Sequence, residues 1–317
     1  MLKKLSKLTA CLGFCAFSAQ AAQWYETYDF SQAISQVVSY KDEAAVIRGK
    51  AILLGSKDKP FMAYYDAGSM NLRYVTDKRI KFHGTPWDGR HGGNSEIDGN
   101  IIFTSSPSLA WAYKGNWQDP RENDYAPLAK NYAHFKGSYR FDDKVILSYS
   151  VGEQKTLVHE MPEMLNPDTL VRHFTIPANK EEMWLKVIDD KAVKLNETLF
   201  LKSSQFEIQN NGKGLYFIHI PAGQKQLSFS VRLSKKAINE SSTVINLQNF
   251  TKGSKARWPK TVTVQGKVND YESDIFAVDQ IPVPENNPYQ SNIRFSGFDY
   301  FKDGKRAAFC TWNGDVW

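Results

Sequence analysis

Apolar and polar residues alternate in short runs along most of this chain, broken roughly every ten residues by Gly, Pro, Asn or Asp, the pattern of strands with one buried face. Residues 46–54 read as a strand closed by Gly55-Ser56, and 61–65 and 72–75 follow, joined through Asp66-Ala67-Gly68-Ser69. Residues 137–141 and 145–152 read as a hairpin about Asp142-Asp143, with Val145, Leu147, Tyr149 and Val151 on one face. Residues 170–176 and 184–189 are expected to pair around Pro177-Ala178-Asn179, and 205–209, 215–220 and 227–233 to add further strands. One helix is expected over 29–40, where Ser31 can cap a turn that puts Ile34, Val37 and Val38 on one side. Strands do not alternate with helices, which argues against a Rossmann-like or barrel-type α/β enzyme. The fold class is therefore mainly β, a large antiparallel β-sandwich over residues 22–233.

The pattern lapses in two places. Residues 82–99 form a long glycine-rich passage with little periodicity, and loops of that length are usually functional or mobile. Residues 234–292 carry many Lys and Asn together with Trp258-Pro259, Ile281-Pro282-Val283-Pro284 and Asn287-Pro288. Proline removes ladder donors, so this stretch reads as an extended linker, with an edge strand available around Val262, Val264 and Val268. Beyond it, residues 293–317 place two strand-like runs around Lys302-Asp303-Gly304-Lys305, a C-terminal hairpin. A two-stranded hairpin alone is marginal in water, so it either extends a sheet or opens a second domain. In the latter case Phe295, Phe298, Phe301, Phe309, Trp312 and Trp317 offer apolar surface to a partner.

The N-terminus changes the compartment. Lys3, Lys4 and Lys7 precede an apolar run over 8–17 and an Ala19-Gln20-Ala21 cleavage site, so residues 1–21 read as a signal peptide and the product is expected to be periplasmic or extracellular. No later stretch approaches the ~18 apolar residues of a membrane span. Losing three lysines and no acids takes the formal charge from +6 to +3, too weak to point to nucleic acid. Cys11 and Cys15 leave with the signal. Cys310 is then the sole thiol, expected to be buried and inert, and neither an internal disulfide nor a haem-attachment motif can form.

Composition points to one class of ligand. Aromatic residues make up 13% of the chain, and a cluster falls in 109–136: Trp111, Tyr113, Trp117, Tyr125, Tyr132, His134 and Phe135, interleaved with Lys114, Asp119, Arg121 and Asp124. Rings stack on pyranose faces while carboxylates and guanidinium groups pair with hydroxyls, so Trp111, Tyr113, Trp117, Asp119, Arg121, Tyr125 and His134 are candidate carbohydrate contacts. The same composition also suits a loop that covers the end of a sandwich. In the 82–99 passage, His83, Asp88 and His91, with Glu96 nearby, are candidates for a metal site or for acid–base work, although no short ligand spacing such as H-E-x-x-H occurs. Nucleophile-elbow, P-loop and dinucleotide-binding motifs are absent. His159, His173 and His219 sit in or beside strand-like runs and read as structural.

Several of these segments together resemble a known domain. They are 82–93 with its Asp-Gly-x-His-Gly, Asp119-Pro120-Arg121, Tyr132-Ala133-His134-Phe135-Lys136-Gly137, the 145–152 strand, 294–299, and Cys310-Thr311-Trp312-Asn313-Gly314-Asp315-Val316-Trp317. Their order resembles an uncharacterised N-terminal domain of large exported bacterial proteins that carry a sugar-dehydrogenase-like β-propeller and often a c-type haem module. The resemblance implies that residues 293–317 begin a propeller, that the chain is truncated before it, and that any haem or dehydrogenase activity lies in the missing part. It carries no catalytic residues onto this sequence and no cofactor into this chain. A fainter likeness links Leu170-Val171-Arg172-His173-Phe174 and Trp184-Leu185-Lys186-Val187 to galactose-mutarotase-like sandwiches. The function expected from all this is a non-catalytic accessory or binding module with a glycan as ligand. The alternatives are a fragment of a periplasmic haem/propeller sugar oxidoreductase, a sugar-active enzyme using the 83–96 loop, or a protein that binds a second protein through 293–317.

Overall fold

The computed structural model describes residues 34–41, 43–56, 58–84, 87, 91–203, 205–237, 243–256, 258–268, 279–291, 293–311 and 315–317. The proposed signal peptide and Asp88 lie outside them. Nearly all regular structure is β, as the alternation predicts.

The first sheet contains β1 (Ile34–Tyr40), β2 (Glu43–Leu53), β3 (Met62–Asp66), β4 (Asn71–Thr76), β5 (Ser95–Glu96) and β6 (Ile101–Thr104), in the order β5-β1-β2-β3-β4-β6. β7 (Trp111–Ala112) starts a smaller sheet. The second sheet contains β8 (His134–Phe141), β9 (Lys144–Val151), β10 (Thr156–Asn166), β11 (Thr169–Ile176), β13 (Leu199–Lys202) and β16 (Leu227–Ser234), in the order β13-β16-β11-β10-β9-β8. The third pairs β14 (Ile208–Asn210), β15 (Leu215–Ile220), β12 (Met183–Asp189) and β7 in that order, and β17 (Phe295–Tyr300) and β18 (Ala307–Thr311) form a separate hairpin.

Two sequence expectations are corrected here. Residues 34–40 are a strand, not a helix: β1 pairs antiparallel with β2 and parallel with β5. Ile34, Val37, Val38 and Tyr40 are β-branched or aromatic and suit a pleated surface, so the ladder overrides their helical spacing. β11 and β12 are not partners. β11 lies between β10 and β16 in the second sheet, whereas β12 lies between β15 and β7 in the third.

The main core forms where the second sheet faces the other two. Val145, Leu147, Tyr149 and Val151 of β9 and Phe174 and Phe229 of β11 and β16 meet Ile52, Tyr65 and Val75 of the first sheet and Trp111, Leu185 and Ile218 of the third. A charge sits inside it. Glu160, 0% exposed, accepts the Tyr65 hydroxyl and Arg172 Nε at one oxygen and the Tyr149 hydroxyl at the other, each at 2.7 Å. Arg172 Nη1 donates to the Val187 carbonyl at 3.2 Å, so one network ties all three sheets together. A second apolar cluster covers the other face of the first sheet with Phe82, Trp87 and Ile97 from the 82–99 passage.

Residues 243–250 lie across the outer face of the second sheet. Leu247, 0% exposed, packs on Ile146 and Met161, its amide donates to Thr175 Oγ1 at 2.9 Å, and the Phe250 ring stands edge-on to Phe141. At the seam between the first and third sheets, Asp189 accepts from Ser105 Oγ at 2.6 Å and the Ser106 amide at 2.9 Å, while Lys186 Nζ reaches Ser108 Oγ at 2.7 Å and Asp189 at 3.4 Å. Burial pulls the Lys186 ammonium down to about 8 in spite of Asp189. The unfolded lysine titrates near 10.5, so between these values the folded chain binds fewer protons and stability rises with pH. Urea titrations from pH 8 to 10.5 should show a gain of up to about 3 kcal/mol that Lys186→Met lacks; parallel profiles for the two proteins would refute it.

Candidate functional site

The sequence candidates do not form one site. Trp111 is 1% exposed and belongs to the core, its ring 6.1 Å from that of Tyr149. Its β7 register opposite Leu185 turns it inward, against the core. Trp117, six residues on, lies half-buried on the outside of the third sheet, edge-on to Phe217 at 5.7 Å. Near it Trp184 and His219, paired across β12 and β15, stack at 5.0 Å.

Tyr113 stacks on Tyr132 at 4.8 Å, and its hydroxyl donates to Glu153, which also accepts from Asn131. Those two hydrogen bonds hold the Glu153 carboxyl below its usual range. Asp119 is clamped by Arg121 through Nε and Nη2, the latter at 2.7 Å, and the Arg121 side chain is only 3% exposed. Burial alone would raise the Asp119 carboxyl, but the Arg121 bonds and charge outweigh it and lower it. This pair is internal architecture. Tyr125 is 63% exposed, and its carbonyl accepts from Arg48 Nη2 at 2.7 Å.

His134 and Tyr125 lead to a feature that the sequence does not announce, a cleft of about 550 Å³ where β1 and β2 of the first sheet face β8, the edge strand of the second. One wall is Arg48 and Lys50 with Gln36 behind them; the other is Leu128, Lys130, His134 and Phe135. The ladder between β1 and β2 shifts register between Gln36 and Val38, and a bulge there lets the adjacent Ile47 and Arg48 both line the cleft instead of facing opposite sides. Gly49 stands opposite Gln36, where a Cβ would come within 2.7 Å of the Gln36 carbonyl and of Val38. Arg48 fixes the far rim by donating to the carbonyls of Asp124 and Tyr125. Lys50 Nζ lies 4.6 Å above the Phe135 ring, and burial holds its ammonium below the usual lysine range. Burial, with the charges of Lys136, Lys130 and Lys155, depresses the His134 imidazole.

In the 82–99 passage, the Lys81 and Glu96 backbones exchange hydrogen bonds at 2.9 Å and their side chains form an ion pair at 2.9 Å. The His83 ring lies against Gly93, where an added Cβ would come within 2.1 Å of it, and His91 is exposed. Among the described residues no three His, Cys, Asp or Glu side chains gather as a metal would require.

The second sheet holds a grouping that composition alone would mistake for a catalytic triad. His173 Nδ1 lies 3.0 Å from Ser230 Oγ and its Nε2 3.1 Å from Glu163. Ser230 is 0% exposed and its hydroxyl reaches the Thr243 carbonyl at 3.0 Å, so this hydroxyl is buried and tied to residues 243–250. The trio fastens residues 243–250. Cys310, expected to be buried, is exposed on β18, with Sγ 3.4 Å from the Gly297 carbonyl, because no described element covers that side of the hairpin.

No curated protein matches the chain. A family match runs from within β3 to the start of β10 and takes in the Ala67-Gly68 turn and the 127–135 wall of the cleft, but neither β1 nor β2. Residues 63–157 are similar to DUF6797, a domain of unknown function.

Proposed function

We propose that this protein is an exported, non-catalytic binding module whose ligand, a carbohydrate, sits in the cleft between the first and second sheets. The observation that carries this reading is the cleft itself. Its volume lies within the ~300–1,000 Å³ that encloses small ligands, and its lining mixes apolar residues such as Ile47, Leu128 and Phe135 with a few polar groups. The signal-like residues 1–21 support export, and the similarity to an uncharacterised domain is compatible with an accessory role. In affinity electrophoresis the mature chain should be retarded by at least one soluble polysaccharide. Leu128→Trp, which fills the cleft, should abolish retardation, and Trp117→Ala, on the outside of the third sheet, should leave it intact. The reading fails if no polysaccharide retards the protein, or if only the Trp117 substitution matters.

A second reading draws on the hairpin. Phe298 and Tyr300 are 60% and 65% exposed there, an aromatic surface that a second body, such as a propeller domain of a larger oxidoreductase, would cover. Reading the gene past the Trp317 codon decides it, since an in-frame propeller favours this version and its absence removes it.

A further inference from the structure

The cleft is charged on one side of zero. Arg48, Lys50 and Lys130 line it, and no described lining residue carries a carboxylate. The acid next to the Ala67-Gly68 rim, Asp66, is buried and accepts from the Gly68 amide at 3.0 Å and Ser69 Oγ at 2.8 Å. Arg48 is committed to backbone carbonyls, which leaves two ammonium groups as the cations that face a guest. Lys50 is half-buried over Phe135, and desolvation is the sole cause of its depressed titration, with no carboxylate opposing it. A half-buried ammonium without a counter-charge costs folding free energy, and an incoming anion converts that cost into affinity. Lys136 and Lys155 add to the field around His134 at the same mouth. Gln36 lines the cleft, and its buried side-chain nitrogen has no hydrogen-bond partner among the described residues.

We propose that the cleft selects an acidic saccharide, whose carboxylate or sulfate enters between Lys50 and Lys130 while its apolar face lies along Leu128 and Phe135. This inference rests on the binding-module reading.

The test is affinity electrophoresis of the mature chain at physiological salt against polygalacturonate, its methyl ester, dextran sulfate and neutral dextran. Retardation is expected with a charged polymer, polygalacturonate reporting a carboxylate ligand and dextran sulfate a sulfate one, and it should fall by at least tenfold or so in Lys50→Met and in Lys130→Met. Lys213→Met, in the distant β14–β15 turn, should change nothing. Lys130 is exposed, so its substitution reports on binding even if Lys50→Met proves unstable on heating. Equal weakening by Lys213→Met would mean attraction to overall charge and overturn the proposal. Retardation by the neutral polymers, unchanged in both cleft variants, would overturn it while leaving the binding module standing. Failure with every polymer would sink both.

Discussion

Replacing Glu160 with Gln should cost about 3–5 kcal/mol of folding stability, because it strands a buried guanidinium. Arg172 is 2% exposed, and Glu160 is the carboxylate it pairs with at 2.7 Å. That charge holds the guanidinium above its ordinary range although burial acts the other way. An amide brings one acceptor where the carboxylate has two, so the hydroxyl of Tyr65 or of Tyr149 also loses its partner. Removing both charges together, as Glu160→Leu with Arg172→Met, should cost clearly less than the sum of the two single changes, since a buried pair is replaced far more cheaply than it is broken. Tyr65→Phe should cost only about 1–3 kcal/mol. Urea unfolding of the five variants, the two single changes of the pair included, measures this. A loss under about 1 kcal/mol in Glu160→Gln would show that the network is solvated and the sheets are held by apolar contact alone.

Trp111→Ala should be nearly as damaging, at about 3–5 kcal/mol, through the cavity it leaves between the second and third sheets. Trp117→Ala should cost much less, because its half-buried ring contacts Phe217 at the surface. The contrast tests placement directly: if Trp111 were a ligand platform, its removal would leave the melting temperature in place and reduce binding. Its 1% exposure and its position against Tyr149 predict the reverse.

The strands that the sequence makes legible are those with strict alternation. β9 shows its inward set, Val145, Leu147, Tyr149 and Val151, without help from its neighbours, and β2, β3, β15 and β16 are nearly as clear. β10 escapes notice because its inward face carries Glu160 and its run contains Pro162, which reads as a breaker. Pro162 is tolerated because β10 pairs with β9 only as far as Glu160, so the proline falls where its missing donor is not needed on that side. The cleft is illegible for a different reason. Its walls come from β2 and from residues 127–135, far apart in the chain, and a register shift rather than a motif aims Arg48 at it. Of the seven aromatic and charged candidates in 109–136, only His134 lines it, while spacing alone could not tell the inward Trp111 from the outward Trp117.

The strand order also fixes a sequence of events during synthesis. The first sheet is complete once residue 104 has emerged, and most of its ladders join chain neighbours, so little loop entropy opposes its early formation. The second sheet cannot close until β16 arrives to sit between β11 and β13, after the strands of the third sheet have already been made. A nascent chain that stalls before β16 therefore exposes the open edge of β11, a site for pairing with another copy.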